Sequence, residues 1–245
     1  MQTQNRVKDN VNFLKFMEFS GIDEKAIEEK MLREKNGFRI NGVMDVEESG
    51  VNKQMAYTIF FKKYGNPNTH LADQFRVTLV ERTERQGLFL FDDRHPISAK
   101  NAFHLLNGRG VMKPGVGDEQ IWYQMDFAKR DTNGDGLVQM FGIRKDEFDV
   151  EKQLERYFIK EIQQPESKQE LLTKLFNGEP AIGTVTINGE DKKFQLEVYP
   201  KGPLLNGREI KPDELQSKIK TKTTQKQSWE IPIEKRSRQR KGRSL

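Results

Sequence analysis

An α+β fold, an antiparallel β-meander and hairpins with helices packed on them, follows from three features of the chain. Its β-prone runs come in adjacent pairs, its helical patterns fall between those pairs, and no residues recur at a fixed period. The segment Val11 to Phe19 is apolar at nearly helical spacing. After Ser20-Gly21, the run DEKAIEEKMLREKNG offers Asp23 as N-cap and Gly37 as a left-handed stop, which predicts a helix at about 23–35. Two short β-prone pieces then flank Asn41-Gly42, a dipeptide that supplies positive φ to a type I′ turn. The aromatic and β-branched runs Lys53–Tyr64 and Gln74–Thr83, followed by GLFLFDD, continue the meander.

PISAKNAFHLLNG predicts the next helix. Ser98 caps it, Ile97 and Ala102 hold the staple positions, Phe103 and Leu106 share a face, and Gly108 closes it. IWYQMDFAK and LVQMFGI flank DTNGDG as a hairpin. Phe148–Gln163 and Pro165–Asn177 predict two successive helices, with Leu154, Phe158 and Ile162 on one face of the first and Leu171, Leu172 and Leu175 in the second. AIGTVTINGEDKKFQLEVY predicts a hairpin about Asn188-Gly189, with Val185, Ile187, Phe194, Leu196 and Val198 available for one buried face. IKPDELQSK suggests a short helix. The expected division is an N-terminal unit over 1–145, a helix pair with a hairpin over 146–216 packed on the first, and a disordered basic tail over 217–245.

Composition bounds the chemistry. The 245 residues include no cysteine, which excludes disulfide scaffolds, thiolate catalysis and Cys-based zinc sites. Apolar runs such as Thr58–Phe61 are too short to span a bilayer and the first residues are polar, so a soluble cytoplasmic protein without membrane contact is the expectation. The net charge of +5 is unevenly placed: Ser217–Leu245 holds ten basic and two acidic residues, a balance of +8, and residues 1–216 hold the remaining 32 basic and 35 acidic, a balance of −3. An acidic partner is therefore expected at the terminus alone.

The segments NVNFLKFMEFSGIDEKAIEEKM, ISAKNAFHLLNGRGVMK, IWYQMDF and FDVEKQLERYFIKEIQQPESKQELLTKLFNGEPAIGTVTINGEDKKFQLEVYP cover most of residues 10–200. In that order they resemble an uncharacterised family of cytosolic proteins carried by conjugative and mobilisable elements of Bacteroides-like bacteria. The chain departs from that pattern around DTNGDG and LVQMFGI, where relatives commonly have a plainer turn and a more polar second strand. The resemblance implies a setting among accessory proteins of DNA transfer or element maintenance. It supplies no active site.

Candidate sites are few. Asp131, Asn133 and Asp135, with Gly136, match the first half of an EF-hand calcium loop, but position 12 is Gly142 where a bidentate carboxylate is required. A hairpin turn without a dedicated metal, binding Ca²⁺ weakly at most, is the expectation. The loop at 107–118, NGRGVMKPGVGD, lacks the Walker ending and reads as a connector. His70, His95 and His104 have no metal-site spacing, His104 reading as a half-buried structural residue. Asp92, Asp93, His95 and Glu147 would form an enzymatic site only if the fold brought them together, and no catalytic residue, metal or cofactor is assigned. The strongest feature is the cluster Lys235, Arg236, Arg238, Arg240, Lys241 and Arg243 with Trp229 upstream. Arginines there can pair bidentately with phosphates of DNA or RNA without reading sequence, and Trp229 can stack on an exposed base. The alternatives are a solubilising tail and, less favoured for want of an amphipathic face, adhesion to anionic lipid. The body is expected to engage a protein partner, and the cluster to contact nucleic acid.

Overall fold

The computed structural model describes residues 2–48, 50–65, 69–92, 96–114, 119–132, 134–143, 148–201 and 204–211. The basic cluster, Trp229, Asn133, Asp93, His95, Glu147 and most of IKPDELQSK lie outside the described residues. The architecture is α+β. Helices α1 (Gln2–Phe16) and α2 (Glu24–Arg33) precede a meander of β1 (Gly37–Glu48), β2 (Val51–Lys63), β3 (His70–Leu79) and β4 (Arg82–Leu90). Helix α3 (Ala99–Leu106) leads into β5 (Val111–Pro114), β6 (Gln120–Arg130) and β7 (Gly136–Ile143). Helix α4 (Val150–Arg156), a 3-10 turn at Lys160–Gln163 and helix α5 (Pro165–Phe176) precede β8 (Ala181–Ile187), β9 (Glu190–Tyr199) and β10 (Leu204–Glu209).

Seven strands make one sheet in the order β1-β2-β3-β4-β7-β6-β5, and three make a second in the order β10-β9-β8. Every pairing is antiparallel except β4 with β7, which run parallel and meet at Gly87 and Gly136. Period-two alternation puts Ile40, Met44, Met55, Ile59, Phe75, Val77 and Phe89 on the covered face of the meander. There they meet Val11 and Leu14 of α1, Ile27 and Met31 of α2 and Phe103 of α3. The opposite face carries Val43, Ala56, Phe60, Arg76, Leu88 and Leu90, all half-buried or exposed. A second core gathers Trp122 of β6 with Phe148, Leu154, Ile159, Leu171, Leu175, Leu196 and Val198. Strand β6 thus serves both, because Met125 belongs to the first core and Trp122 to the second.

The meander, the α3 capping box on Ser98 and Asn101, the β6–β7 hairpin and the type I′ turn at Asn188-Gly189 (φ 54 and 83) agree with the sequence reading. Elsewhere the chain departs from it. No turn forms at Asn41-Gly42, where β1 runs through unbroken to Glu48. A Cβ on Gly42 would stand 2.2 Å from the Tyr57 hydroxyl, so the glycine is there to let that ring cross β1 and donate to the carbonyls of Ser20 at 3.1 Å and Gly21 at 3.3 Å. Helix α2 ends at Arg33 because Glu34 turns extended and closes on Lys30 O; Gly37 opens β1 and is not the stop. Four of the twelve residues of the supposed 107–118 connector form β5, paired with β6 from Val111–Tyr123 to Pro114–Gln120. Strand β10 occupies a stretch with no strand signal of its own.

The expected helix Phe148–Gln163 is broken at Phe158, which adopts φ 53 while Ile159 N–H closes on Leu154 O at 3.1 Å. The break buries Ile159 to 1% exposure and leaves Phe158 79% exposed, so Leu154 and Phe158 do not share a packed face. A left-handed cap position favours glycine. Phe158→Gly is expected to stabilise the protein by about 0.5–1 kcal/mol, measured by urea denaturation; a lower midpoint would show that the exposed ring makes a stabilising contact.

Candidate functional site: a buried charge cluster and an apolar groove

Arg109 follows the left-handed closure of α3 at Gly108 (φ 86), where Gly108 N–H meets Leu105 O and Arg109 N–H meets His104 O. That closure turns the arginine inward, to 3% exposure. Its guanidinium pairs with Glu48 at the end of β1 and stands 3.4 Å from Glu197 of β9. Lys53 of β2 donates to the other oxygen of Glu48 at 2.8 Å, and the Tyr199 hydroxyl donates to Glu197 at 2.6 Å. His104 Nδ1 lies 3.0 Å from Arg109 Nη2 and 3.6 Å from Glu48 Oε1. The shorter contact makes Nδ1 an acceptor for the guanidinium, so the ring is neutral and gives Glu48 no proton. The cluster thus joins the end of the meander, α3 and the small sheet.

Titration follows from this placement. Burial pushes the Glu48 carboxyl up, but the charge of Arg109 and the hydrogen bonds from Lys53 and Arg109 outweigh it and hold the group well below the usual carboxylate range. Burial lowers His104 below the usual imidazole value. Tyr199 is pushed up to about 12, by burial first and then by its bond to Glu197. His70, 1% exposed beside the Phe38 ring, is also lowered by burial, and neither of its ring nitrogens has a hydrogen-bond partner among the described residues. His104 and Arg109 are both buried, at 3% exposure, and the cluster ties α3 to the long and the short sheet.

The turn that matches half of a calcium loop is organised by an arginine. Arg76 of β3 donates to Asp135 Oδ2 at 3.0 and 2.7 Å, and Asp135 N–H donates to Asp131 Oδ1 at 2.8 Å. A cation at this turn would compete with that guanidinium for Asp135. Among the described residues no three His, Asp or Glu side chains are grouped to hold a metal ion, and no helix is long and apolar enough to cross a membrane. Of Asp92, Asp93, His95 and Glu147, whose convergence would have marked an enzymatic site, only Asp92 lies among the described residues.

A groove of about 380 Å³ opens on the small sheet, lined by Tyr157, Ile159, Val185, Ile187, Phe194, Leu196, Leu205 and Gly207. It exists because the β8–β9 hairpin is longer than its cover. The rows of Leu196 with Ala181 and of Val198 with Leu205 lie under α4 and α5 and are buried. Phe194 and Val185 beyond them are half-buried, and Ile187 is exposed. Sequence reading placed all five large residues of β8 and β9 on one buried face; the face is right, but only Leu196 and Val198 are covered. Gly207, paired with Leu196, leaves the floor of the groove open.

Compared with protein-family models, with curated proteins and with solved structures, the chain matches none.

Two measurements test the cluster. Arg109→Ala strips two half-buried carboxylates of their shared buried cation and is expected to destabilise the fold by about 3 kcal/mol, read from chemical denaturation; a change below about 1 kcal/mol would remove the cluster from this role. Because the unfolded chain protonates His70 and His104 near their ordinary value of about 6.5 and the folded chain resists it, stability is full above that pH and falls as pH drops below it. Glu48, lowered in the folded state, adds a second loss as pH falls below the ordinary carboxylate range. His70→Phe is expected to melt higher than the parent at pH 5.5 and to flatten the slope between pH 7 and 5; an unchanged slope would refute a buried neutral His70.

Proposed function

We propose that this chain is a non-enzymatic, cytoplasmic accessory protein of a mobile genetic element, whose α+β body engages a protein partner and whose basic C-terminal cluster contacts nucleic acid without sequence preference. The observation that carries this reading is the division of charge, +8 over residues 217–245 against −3 over residues 1–216. Lys235, Arg236, Arg238, Arg240, Lys241 and Arg243 supply six cations within nine residues. Each neutralised phosphate releases counterions, which gives affinity but no base readout. The acidic balance of the remainder supports the terminus as the point of contact. The bare outer face of the meander, with Val43 and Leu90 exposed, supports a partner surface on the body. The likeness in linear pattern to proteins of conjugative and mobilisable elements supports the setting.

Electrophoretic shift of labelled duplex and single-stranded DNA by the full chain, compared with a truncation ending at Thr221, tests the reading. The full chain is expected to shift both in low salt, with a slope of log affinity against log salt of roughly −5 on duplex if all six cations engage, and the truncation to shift neither. Equal binding by the truncation, or no binding by the full chain, would leave the basic run a solubilising segment.

A further inference from the structure

We propose that the apolar groove of the small sheet is a seat for this chain's own segment Trp229–Ile233, docked in cis. Three observations point to this occupant. The described chain leaves the body at the groove: Leu205 and Gly207 of β10 line it, and one residue after β10 the Ile210 N–H donates to Lys193 O at 2.8 Å, beside Phe194 of the groove wall. Residues 212–228, seventeen in all, connect that exit to Trp229. As a flexible chain seventeen residues have a root-mean-square reach of roughly 20–25 Å, and a tether of this kind gives an effective concentration on the order of millimolar. A free peptide needs far tighter intrinsic affinity to compete.

The second observation is chemical. Beyond Lys211, Trp229, Ile231 and Ile233 are the one place where apolar residues recur at every second position. In an extended conformation that spacing turns all three to one side and Glu230 and Pro232 to the other. Proline at 232 biases Ile231 toward the extended region and costs nothing on a strand that needs no further partner. The third observation is the shape of the receptor. Its walls are the side chains of Ile159, Val185, Phe194 and Leu196, its floor is cut by Gly207, and its volume lies in the range that takes an aromatic and aliphatic anchor. Seating three large apolar side chains there would cover the rows of the hairpin that α4 and α5 leave bare. It would also fix the start of the basic run, since Lys235 follows Ile233 by two residues.

This inference does not rest on nucleic-acid binding, because it is measured with none present; a seated Trp229 is, however, not available to stack on a base. Acrylamide quenching of Trp229 fluorescence in the full chain is the test. Trp122, the other of the two tryptophans, is fully buried, and its contribution is measured in Trp229→Phe and subtracted. Trp229 is expected to be shielded in the parent. A Cβ on Gly207 would meet Leu196 at 3.4 Å and Phe194 at 3.8 Å, ordinary contacts, so Gly207→Val should fold and fill the groove. In that variant the shielding is expected to be lost, with the circular dichroism unchanged. Ile231→Asp, outside the body, is expected to give the same loss and serves if Gly207→Val folds poorly. Equal accessibility in parent and variants overturns the proposal, as does shielding that survives both substitutions. Shielding that disappears on dilution also overturns it, because the occupant would then come from a second copy.

Discussion

Arg109 sits between Glu48 of the long sheet and Glu197 of the short one, and among the described residues it is the buried cation that both carboxylates share. Removing a guanidinium from water costs several kcal/mol, and attraction offsets this only when geometry and additional hydrogen bonds are good. The cluster approaches that condition by bringing Lys53 and Tyr199 to the two carboxylates and His104 to the guanidinium. Hydrophobic burial alone would hold each core together but is non-directional and would tolerate the two sheets sliding past each other. A charge fork between them accepts one relative position. The backbone supports the same registration, since Gly110 N–H donates to Val198 O at 2.8 Å and Lys201 closes on Gln124 and Asp126 of β6.

The legible parts of the fold are those in which a local signal needs no distant partner. Ser98 with Asn101 makes a capping box from four consecutive residues, and Asn188-Gly189 turns between two runs that can pair only with each other. The same dipeptide misled at Asn41-Gly42. There the glycine answers to the Tyr57 ring from the neighbouring strand, a contact that no window around residue 42 contains. Strands β5 and β10 are four and six residues long and carry Pro or Gly, so their strand character comes from β6 and β9 beside them. The charge cluster was illegible for a similar reason, because its members come from residues 48, 53, 104, 109 and 197. Its one local trace is an arginine held between Gly108 and Gly110 directly after a helix. That pattern marks a tight closure, where composition suggested a connector.

The break at Phe158 and the groove beside it are parts of one geometry. A longer α4 would have kept Phe158 and Ile159 in helical geometry. Instead the chain reverses at a strained residue, Ile159 drops into the core, and Glu161 accepts from both the N–H and the hydroxyl of Thr184. Those two bonds pin the 3-10 turn to β8 and fix where the cover stops. The uncovered rows are therefore a consequence of built contacts, not of loose packing.

Leaving apolar rows bare is unfavourable at roughly 25 cal/mol per Å² of exposed area, so a protein that retains such a groove gains from whatever fills it. An intramolecular occupant suits a module whose charge is divided between body and terminus. Any flexible segment of that length held at one end only would sample a large volume. With the proposed anchor, the basic run would start from a fixed point on the small sheet. The arginine fork bears on this as well, because it fixes the small sheet and its groove against the meander.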